Sequence, residues 1–391
     1  MSYLEKLLEG VEVEWKSIGE VAEIYGGLTG KSKPDFGNGN AKYIPYKNIF
    51  GNIDVNFNYL EIVNISLGEK QNAIKYGDVL FTGSSEIAEE AGMSSSVTTN
   101  LKEEIYLNSF SFGLRFNSDI EMTPEFSKYL FRSRFMRKEI ARTASGVTRY
   151  NISKARFKKL QIPIPPLSVQ KEIVRILDAF TELTTELTAE LTARKQQYEY
   201  YREELLSFEE GEVEWKTLGE IGENLDSMRK PVTSGLRVAG DIPYYGASGI
   251  VDYVKDYIFD GDFLLISEDG ANLIARNTPI AFSISGKSWV NNHAHVLKFK
   301  TYADRKFVEY FLNSIDLTPY ISGAAQPKLN QRNLNSIKIP NPSPEKKEQI
   351  VSILDKFDTL TNSISEGLPK EIELRQKQYE YYRDRLLSFP K

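Results

Sequence analysis

Apolar positions along the chain fall into two long heptad stretches separated by tracts of a different kind. Ile173, Leu177, Phe180, Thr184, Leu187, Leu191, Arg194, Tyr198, Tyr201, Leu205 and Phe208 alternate steps of four and three, and nine of these eleven are apolar. Such a repeat keeps one stripe of a helix turned toward a partner and supercoils the pair left-handedly. The Pro-rich IPIPPLS stops the preceding strand, and Ser168 is the expected N-cap. A helix from Ser168 to Phe208 would be about 60 Å long. A second seam runs through Ile350, Leu354, Phe357, Thr361, Ile364 and Leu368, then resumes at Ile372, Arg375, Tyr379, Tyr382, Leu386 and Phe389. The four-residue step after Leu368, with Gly367 and Pro369 beside it, predicts a kink or short break. The natural partner of each helix is the other, antiparallel. The remaining tracts carry short β-patterned runs such as AKYIPYKNI and DFLLIS among Gly, Asn and Tyr, which reads as mixed, mainly β domains with a few helices.

Self-comparison shows that the whole arrangement occurs twice. Val13–Glu20 (VEWKSIGE) recurs as Val213–Glu220 (VEWKTLGE), Ile162–Phe180 as Ile339–Phe357, and Gln197–Phe208 (QYEYYREELLSF) as Gln378–Phe389 (QYEYYRDRLLSF). Weaker echoes keep the same order. Ile44–Tyr46 matches Ile242–Tyr244, Gly77–Leu80 matches Gly261–Leu264, Leu107–Phe116 matches Val290–Phe299, and Ser145–Ile152 matches Ser322–Leu329. Leu4–Trp15 resembles Glu203–Trp215, so the chain is expected to open on the tail of a helix module and to close, at LLSFPK, where another copy would begin. These boundaries predict an α+β fold. Two mainly β domains, residues 1–166 and 209–342, are joined by two long antiparallel coiled-coil helices, residues 167–208 and 343–391, around a pseudo-two-fold internal repeat. Trp15 and Trp215 stand at matching points and are expected to anchor the cores. The tract TELT-TELT-AELT, Thr181–Thr192, reads as a helical spacer whose length changes by whole units.

Composition narrows the chemistry. The 391 residues hold no cysteine and two histidines. Disulfides, Cys-containing zinc sites and a Cys nucleophile are excluded, and a reducing compartment is expected. No apolar run approaches the ~18 residues of a membrane span and the N-terminus has no signal-peptide core, so a cytoplasmic protein is expected. Net charge is −5, from 49 basic and 54 acidic residues, but it is unevenly spread. Residues 126–160 hold Lys128, Arg132, Arg134, Arg137, Lys138, Arg142, Arg149, Lys154, Arg156, Lys158 and Lys159 against Glu139 alone. A basic stretch on an acidic chain suits a polyanion at one face; a solvated basic helix is the plainer alternative.

Several catalytic patterns nearly match and fail. GGLTGKS, Gly26–Ser32, has Tyr25 where a phosphate-binding loop needs its first glycine. NPSP, Asn341–Pro344, lacks the second proline and the aromatic residue of an adenine methyltransferase motif, and it aligns with a connector in the first copy. DFGNGN, Asp35–Asn40, lacks the spacing of a methyl-donor loop. His293 and His295 lie at i, i+2, expected on one face of a strand, but their repeat partners are Phe110 and Phe112, which argues against a metal or catalytic site. Asp78, Asp262, Glu268 and Asp269 read as turn or loop residues. No catalytic centre is expected in this chain.

The SG…IPxP connectors, each followed by a long helix ending QYEYYR…LLSF, resemble the specificity subunits of type I restriction-modification systems over essentially the whole chain. Copy two departs slightly, with IPNPSPEKKEQ where copy one has IPIPPLSVQKE. The resemblance implies two target-recognition domains, each reading one half of an asymmetric bipartite DNA site, with the helices setting the gap. It also implies two adenine methyltransferase subunits and restriction/translocase subunits as partners, carrying S-adenosylmethionine, ATP and magnesium, so no cofactor in this chain. Unlike domains facing one side of DNA at successive turns, ~34 Å apart, would read an asymmetric site. Base readout belongs to loops rather than to the shared scaffold. The candidate DNA contacts in the first domain are Lys31, Ser32, Lys33, Tyr46, Lys47, Asn48, Ser84, Ser85, Arg142 and the loop Ser145, Gly146, Thr148, Arg149, Tyr150, Asn151. In the second they are Arg229, Lys230, Tyr244, Tyr245, Ser267, Glu268, Asp269 and Ser322, Gly323, Gln326, Lys328, Asn330. Gly146 and Gly323 are expected to allow a tight turn before a short helix whose amides could hold a phosphate. The rival readings are a non-enzymatic coiled-coil scaffold displaying two β domains to protein or carbohydrate, and an enzyme fragment without its catalytic half.

Overall fold

The computed structural model describes residues 10–209, 211–323 and 326–390. The expected helix-module tail before Gly10, the first residues of domain 1–166 and the centre of the Ser322–Leu329 echo lie outside them. The chain forms two compact units, Met1–Glu186 with Ile372–Lys391, and Leu187–Glu371.

In the first unit an antiparallel sheet runs in the order Ala22–Gly26, Ser111–Phe116, Val79–Thr82, Ser94–Ser96. All four residues of Val79–Thr82 are buried, which is why Val79, Leu80 and Phe81 run without polar alternation. Phe81 packs between Phe112, Phe131 and Phe157, with ring centroids 5.0 to 5.3 Å apart. A smaller sheet joins Glu61–Val63, Phe36–Ile44 and, parallel to the latter, Ile105–Leu107. The second unit has one six-stranded sheet in the order Glu223–Asn224, Ala294–Lys298, Phe259–Ser267, Ala281–Val290, Ala239–Gly246, Gly249–Val254.

The repeated motifs form the same structure in each unit. Glu14–Ser17 pairs antiparallel with Gln161–Ile164, setting Trp15 opposite Pro163; Glu214–Thr217 pairs with Lys338–Asn341, setting Trp215 opposite Pro340. Each ribbon leads into a one-turn helix whose first residue is held by a capping box, Ser17 with Glu20 and Thr217 with Glu220. The tryptophans differ from expectation. Trp15 is half-buried and donates to the Pro390 carbonyl at 2.8 Å, whereas Trp215 is 42% exposed against Phe311, so it caps the core edge rather than filling it.

Leu167–Leu206 is one helix of 40 residues, beginning a residue before the expected Ser168 cap and ending before Phe208. In the first unit its Ile173 and Leu177 are buried with Leu386, Leu387 and Phe389, and Phe180 stacks on Tyr382 at 5.2 Å. In the second, Leu206 is buried with Ile350 and Leu354, while Tyr198 stacks on Phe357 at 6.0 Å. Both pairings are antiparallel, as the seams require. The C-terminal seam is broken, but before Gly367 rather than at the expected step after Leu368: Pro344–Asn362 and Gly367–Leu386 are separate helices, with Gly367 and Pro369 in the first turn of the second. Gly367 has φ +78°, and a Cβ there would come within 2.3 Å of the Thr359 carbonyl oxygen. The expected seam residue Ile364 falls in the break and is 85% exposed, because no helix carries it to the stripe.

Candidate nucleic-acid interface

In the first unit three separate stretches meet at one rim. Ser145–Asn151 is the tip of a hairpin formed by Ala144–Ser145 and Tyr150–Ile152, and Tyr150–Asn151 pairs onward with Ser84–Ser85. Gly146 has φ +150°, and a Cβ would stand 1.9 Å from the Arg149 carbonyl oxygen, so only glycine closes this tip. Arg149 donates Nε to the Ser84 hydroxyl at 3.0 Å, and the Tyr46 hydroxyl donates to the Ser84 carbonyl at 2.8 Å. Two depressions flank the rim. One, of 580 Å³, is lined by Lys31, Ser32, Lys33, Tyr43, Tyr46, Lys47, Tyr59 and Phe110. The other, of 520 Å³, is lined by Tyr46, Lys47, Ser84, Ser85, Phe110 and Arg149. Lys33, Lys47 and Arg149 are exposed. Aromatic faces interleaved with cations and hydroxyls suit stacking on bases and contact with phosphates.

The second unit builds the same rim from different side chains. Ser322 exchanges backbone hydrogen bonds with Lys328, both 2.8 Å, and Lys328 also bridges to Asp269. Gly323, at φ +84°, approaches the Gln326 carbonyl as Gly146 approaches Arg149. Asp269, His293, Gln326 and Lys328 line a depression of 760 Å³. Where the first unit has Gly83–Ser84, the second has Glu268–Asp269, and both carboxylates are paired. Glu268 meets Arg229 at 2.5 Å and Lys328 at 3.1 Å, while Asp269 meets His293 Nδ1 at 2.9 Å. Burial would raise the Glu268 carboxyl, but Arg229, His295 and Lys328 together hold it below the ordinary range.

Several expected contacts have structural roles instead. Asn48 is fully buried, and its side chain donates to the Asn56 and Tyr59 carbonyls at 2.8 and 2.7 Å. Lys31 is committed to Glu69 at 2.5 Å, and that bond, with Gln71 and the Ser66 amide, holds the Glu69 carboxyl down at about 2. Ser32 caps its own turn through Asp35. Arg142 stays on its helix end, paired with Glu139 at 2.6 Å. Arg229 and Glu268 form a half-hidden ion pair, Tyr244 and Ser267 are buried, and the Ser267 hydroxyl donates to the Ala247 carbonyl. Lys230 and Tyr245 bond through their backbones to Val290 and Asn291 and do not line the rim depression. The short helices after the SG loops are already closed at their N-termini, by Ser153 accepting from the Arg156 amide and by Asn330 accepting from the Asn333 amide. Asn330 is therefore a cap, and one amide at the start of each helix is already satisfied. The basic stretch also divides. Lys128 is buried between Asp54 and Asp178, Arg132 donates to the carbonyls of Ser94, Ile49, Phe50 and Asn52, and Arg137 to those of Glu89, Ala91 and Gly92. Lys154, Arg156, Lys158 and Lys159 are exposed.

Phe110 and His293 were legible only as repeat partners. The structure puts both at the rim, each in the turn after a buried asparagine, Asn108 and Asn291. His293 and His295 do not share an accessible face: His295 is fully buried. Among the described residues no group of three or more His, Cys, Asp or Glu is arranged to hold a metal ion, and no helix is long and apolar enough to cross a membrane.

A chain made twice over from one mainly β unit, one rim and one helical seam defines a class of doubled recognition subunit. The sequence matches the family described as type I restriction modification DNA specificity domain over residues 10–194 and again over 210–374. The chain belongs to this family, the specificity subunits of type I restriction-modification systems. The EcoR124I/EcoR124II specificity subunit of Escherichia coli is 35% identical, with 100% of this chain and 98% of that relative covered. The EcoprrI specificity subunit of Escherichia coli is 34% identical over 94% of this chain and 92% of its own length. The fold is shared with the crystal structure of the type I system S subunit from M. genitalium, at a TM-score of 0.56 and 18% identity over the whole of both chains. It is also shared with a chain from a structure concerned with assembly and conformational transition of the type I system, at a TM-score of 0.60 and 16% identity over 97% of this chain and 98% of that one.

Proposed function

We propose that each unit reads one half of an asymmetric bipartite DNA site, and that the chain positions partner subunits that carry out the chemistry. The observation that carries this reading is the recurrence in both units of an SG loop bridged to one strand end on unlike side chains: Ser84 beneath Arg149 in one, Asp269 bridged to Lys328 in the other. A common scaffold with different polar edges is what two different base sequences require. In this reading the long helices set the gap between the half-sites. They also dock two adenine methyltransferase subunits, and restriction/translocase subunits join the assembly. S-adenosylmethionine, ATP and magnesium then belong to those partners, and the chain itself is not a catalyst. Family membership supports this division of labour.

The test is to purify the chain alone and together with a methyltransferase subunit, and to measure transfer of labelled methyl groups to DNA. The chain alone is expected to transfer none, and the co-purified pair to methylate one bipartite sequence. Methyl transfer by the highly purified single chain, or failure to form a complex with any methyltransferase subunit of a type I system, would overturn the proposal.

A further inference from the structure

The turn that enters the rim keeps the same backbone bonds in the two units. In the first, the buried Asn108 side chain donates to the Ile44 carbonyl at 3.0 Å, and its Oδ1 accepts from the Phe110 amide and the Ser111 hydroxyl, both at 3.0 Å. The Phe110 carbonyl accepts from the Gly83 amide at 2.8 Å, and the Gly83 carbonyl from the Ile152 amide at 2.9 Å. In the second, Asn291 Oδ1 accepts from the His293 amide at 2.8 Å. The His293 carbonyl accepts from the Glu268 amide at 2.9 Å, and the Glu268 carbonyl from the Leu329 amide at 2.7 Å. The residue two after each asparagine is thus held by its backbone on both sides and tied through one strand end to the SG loop. Its side chain stands clear: Phe110 is 66% exposed and the His293 side chain 51%. A scattered exposed apolar residue needs no explanation. Phe110, however, is locked in place, borders both depressions of its rim, and has the Arg149 guanidinium 5.9 Å from its ring centre.

We infer that Phe110 and His293 are equivalent specificity-determining residues, each setting the base preferred at one position of its own half-site. This rests on the DNA-reading function proposed above. Phe110 has no hydrogen-bonding group, so it discriminates by apolar contact, and the complementary feature on a base edge is the thymine methyl group. His293 discriminates differently. Its Nδ1 lies 2.9 and 3.1 Å from the two oxygens of Asp269. A carboxylate only accepts, so Nδ1 carries the proton, and a ring that bears this proton alone presents Nε2 as an acceptor. Its complement is the exocyclic amino group of adenine or cytosine. One scaffold position therefore offers an apolar contact in one unit and a hydrogen-bond acceptor in the other, and unlike half-sites follow.

The test uses the chain assembled with its methyltransferase partner, on a library of duplexes randomised across both half-sites. Phe110→Ala and Phe110→His are expected to change base preference on the order of tenfold at a single position of one half-site, leaving the other half-site as it was. His293→Phe places at this position the side chain that the first unit already carries. It is expected to shift preference toward thymine at one position of the other half-site. Unchanged preference, a uniform fall across all sequences, or loss of methylation on every duplex would each overturn the assignment, since a scaffold or phosphate role predicts no position-specific change. A wild-type complex that methylates without sequence preference would instead overturn the DNA-reading function itself.

Discussion

His295 occupies the position that Phe112 takes in the first unit, and the exchange rewires its surroundings. Phe112 is one ring of an aromatic core, whereas His295 meets Asp226 at 2.6 Å through Nδ1 and the Leu329 carbonyl at 2.7 Å through Nε2. Burial would raise the Asp226 carboxyl, but the hydrogen bond and charge of His295, the Val296 amide and Arg229 together hold it below the ordinary range. A carboxyl depressed in the folded state stabilises above its unfolded value and loses that contribution as pH falls through the folded value. The thermal stability of the second unit is therefore expected to fall below pH ~4. Asp226→Asn should lower the melting temperature at neutral pH and flatten its fall below pH ~4; parallel profiles for the two proteins would show that Asp226 is not the titrating group. A second prediction concerns the exposed cations. Replacing Lys154, Arg156, Lys158 and Lys159 together with alanine should weaken binding of the assembled complex to every DNA sequence. It should also reduce the slope of log affinity against log salt by roughly 0.9 for each phosphate that is no longer neutralised. An unchanged slope would place these four residues against protein or solvent.

At the scale of an element, four threonines of the TELT tract bond back to their own helix. Thr181, Thr184, Thr185 and Thr192 donate their hydroxyls to the carbonyls four residues earlier, at 2.8 to 3.0 Å. A hydroxyl returned to its own backbone needs no outside partner. Removing four residues also turns the helix by only ~40° beyond a full turn, whereas a single inserted residue turns it by ~100°. Deleting Thr185–Thr188 shortens the helix by ~6 Å, under two base-pair steps of ~3.4 Å. The variant is expected to fold, keep both half-sites and prefer a gap shorter by about one or two base pairs. Methylation of duplexes differing only in gap length reads this directly, and an unchanged optimum in an active variant would show that the helix is not the ruler.

For the whole molecule, the boundaries of the second domain matter more than its interior. Both strands of its closing ribbon, Glu214–Thr217 and Lys338–Asn341, lie inside residues 209–342, so an exchanged domain brings its own closure. Its core also contains Ile350, Val351 and Leu354 of the following helix, packed with Phe307, Val308 and Phe311. Exchange of residues 209–342 for the second domain of a relative that keeps those apolar partners should change one half-site and leave the other intact. Both half-sites changing together would show that recognition is not modular.

The sequence by itself determined the doubled plan, the heptad seams with a break beside Gly367, and the two SG loops, because each rests on local spacing or on a glycine no other residue can replace. It also marked Arg149, Asp269 and Lys328 as loop residues of the rim, since turn composition is written locally, whereas Lys47, expected in a loop, stands on the short helix Tyr46–Gly51. Tertiary structure decided which polar residues are spent on the fold. Asn48, Lys31, Arg132 and Arg137 look like ligands in one dimension, yet each is held by oxygens or carboxylates brought from distant stretches. The rim itself is a long-range object. Phe110 meets Gly83 and Arg149 only when the sheet forms, and no periodicity within any one segment records that meeting.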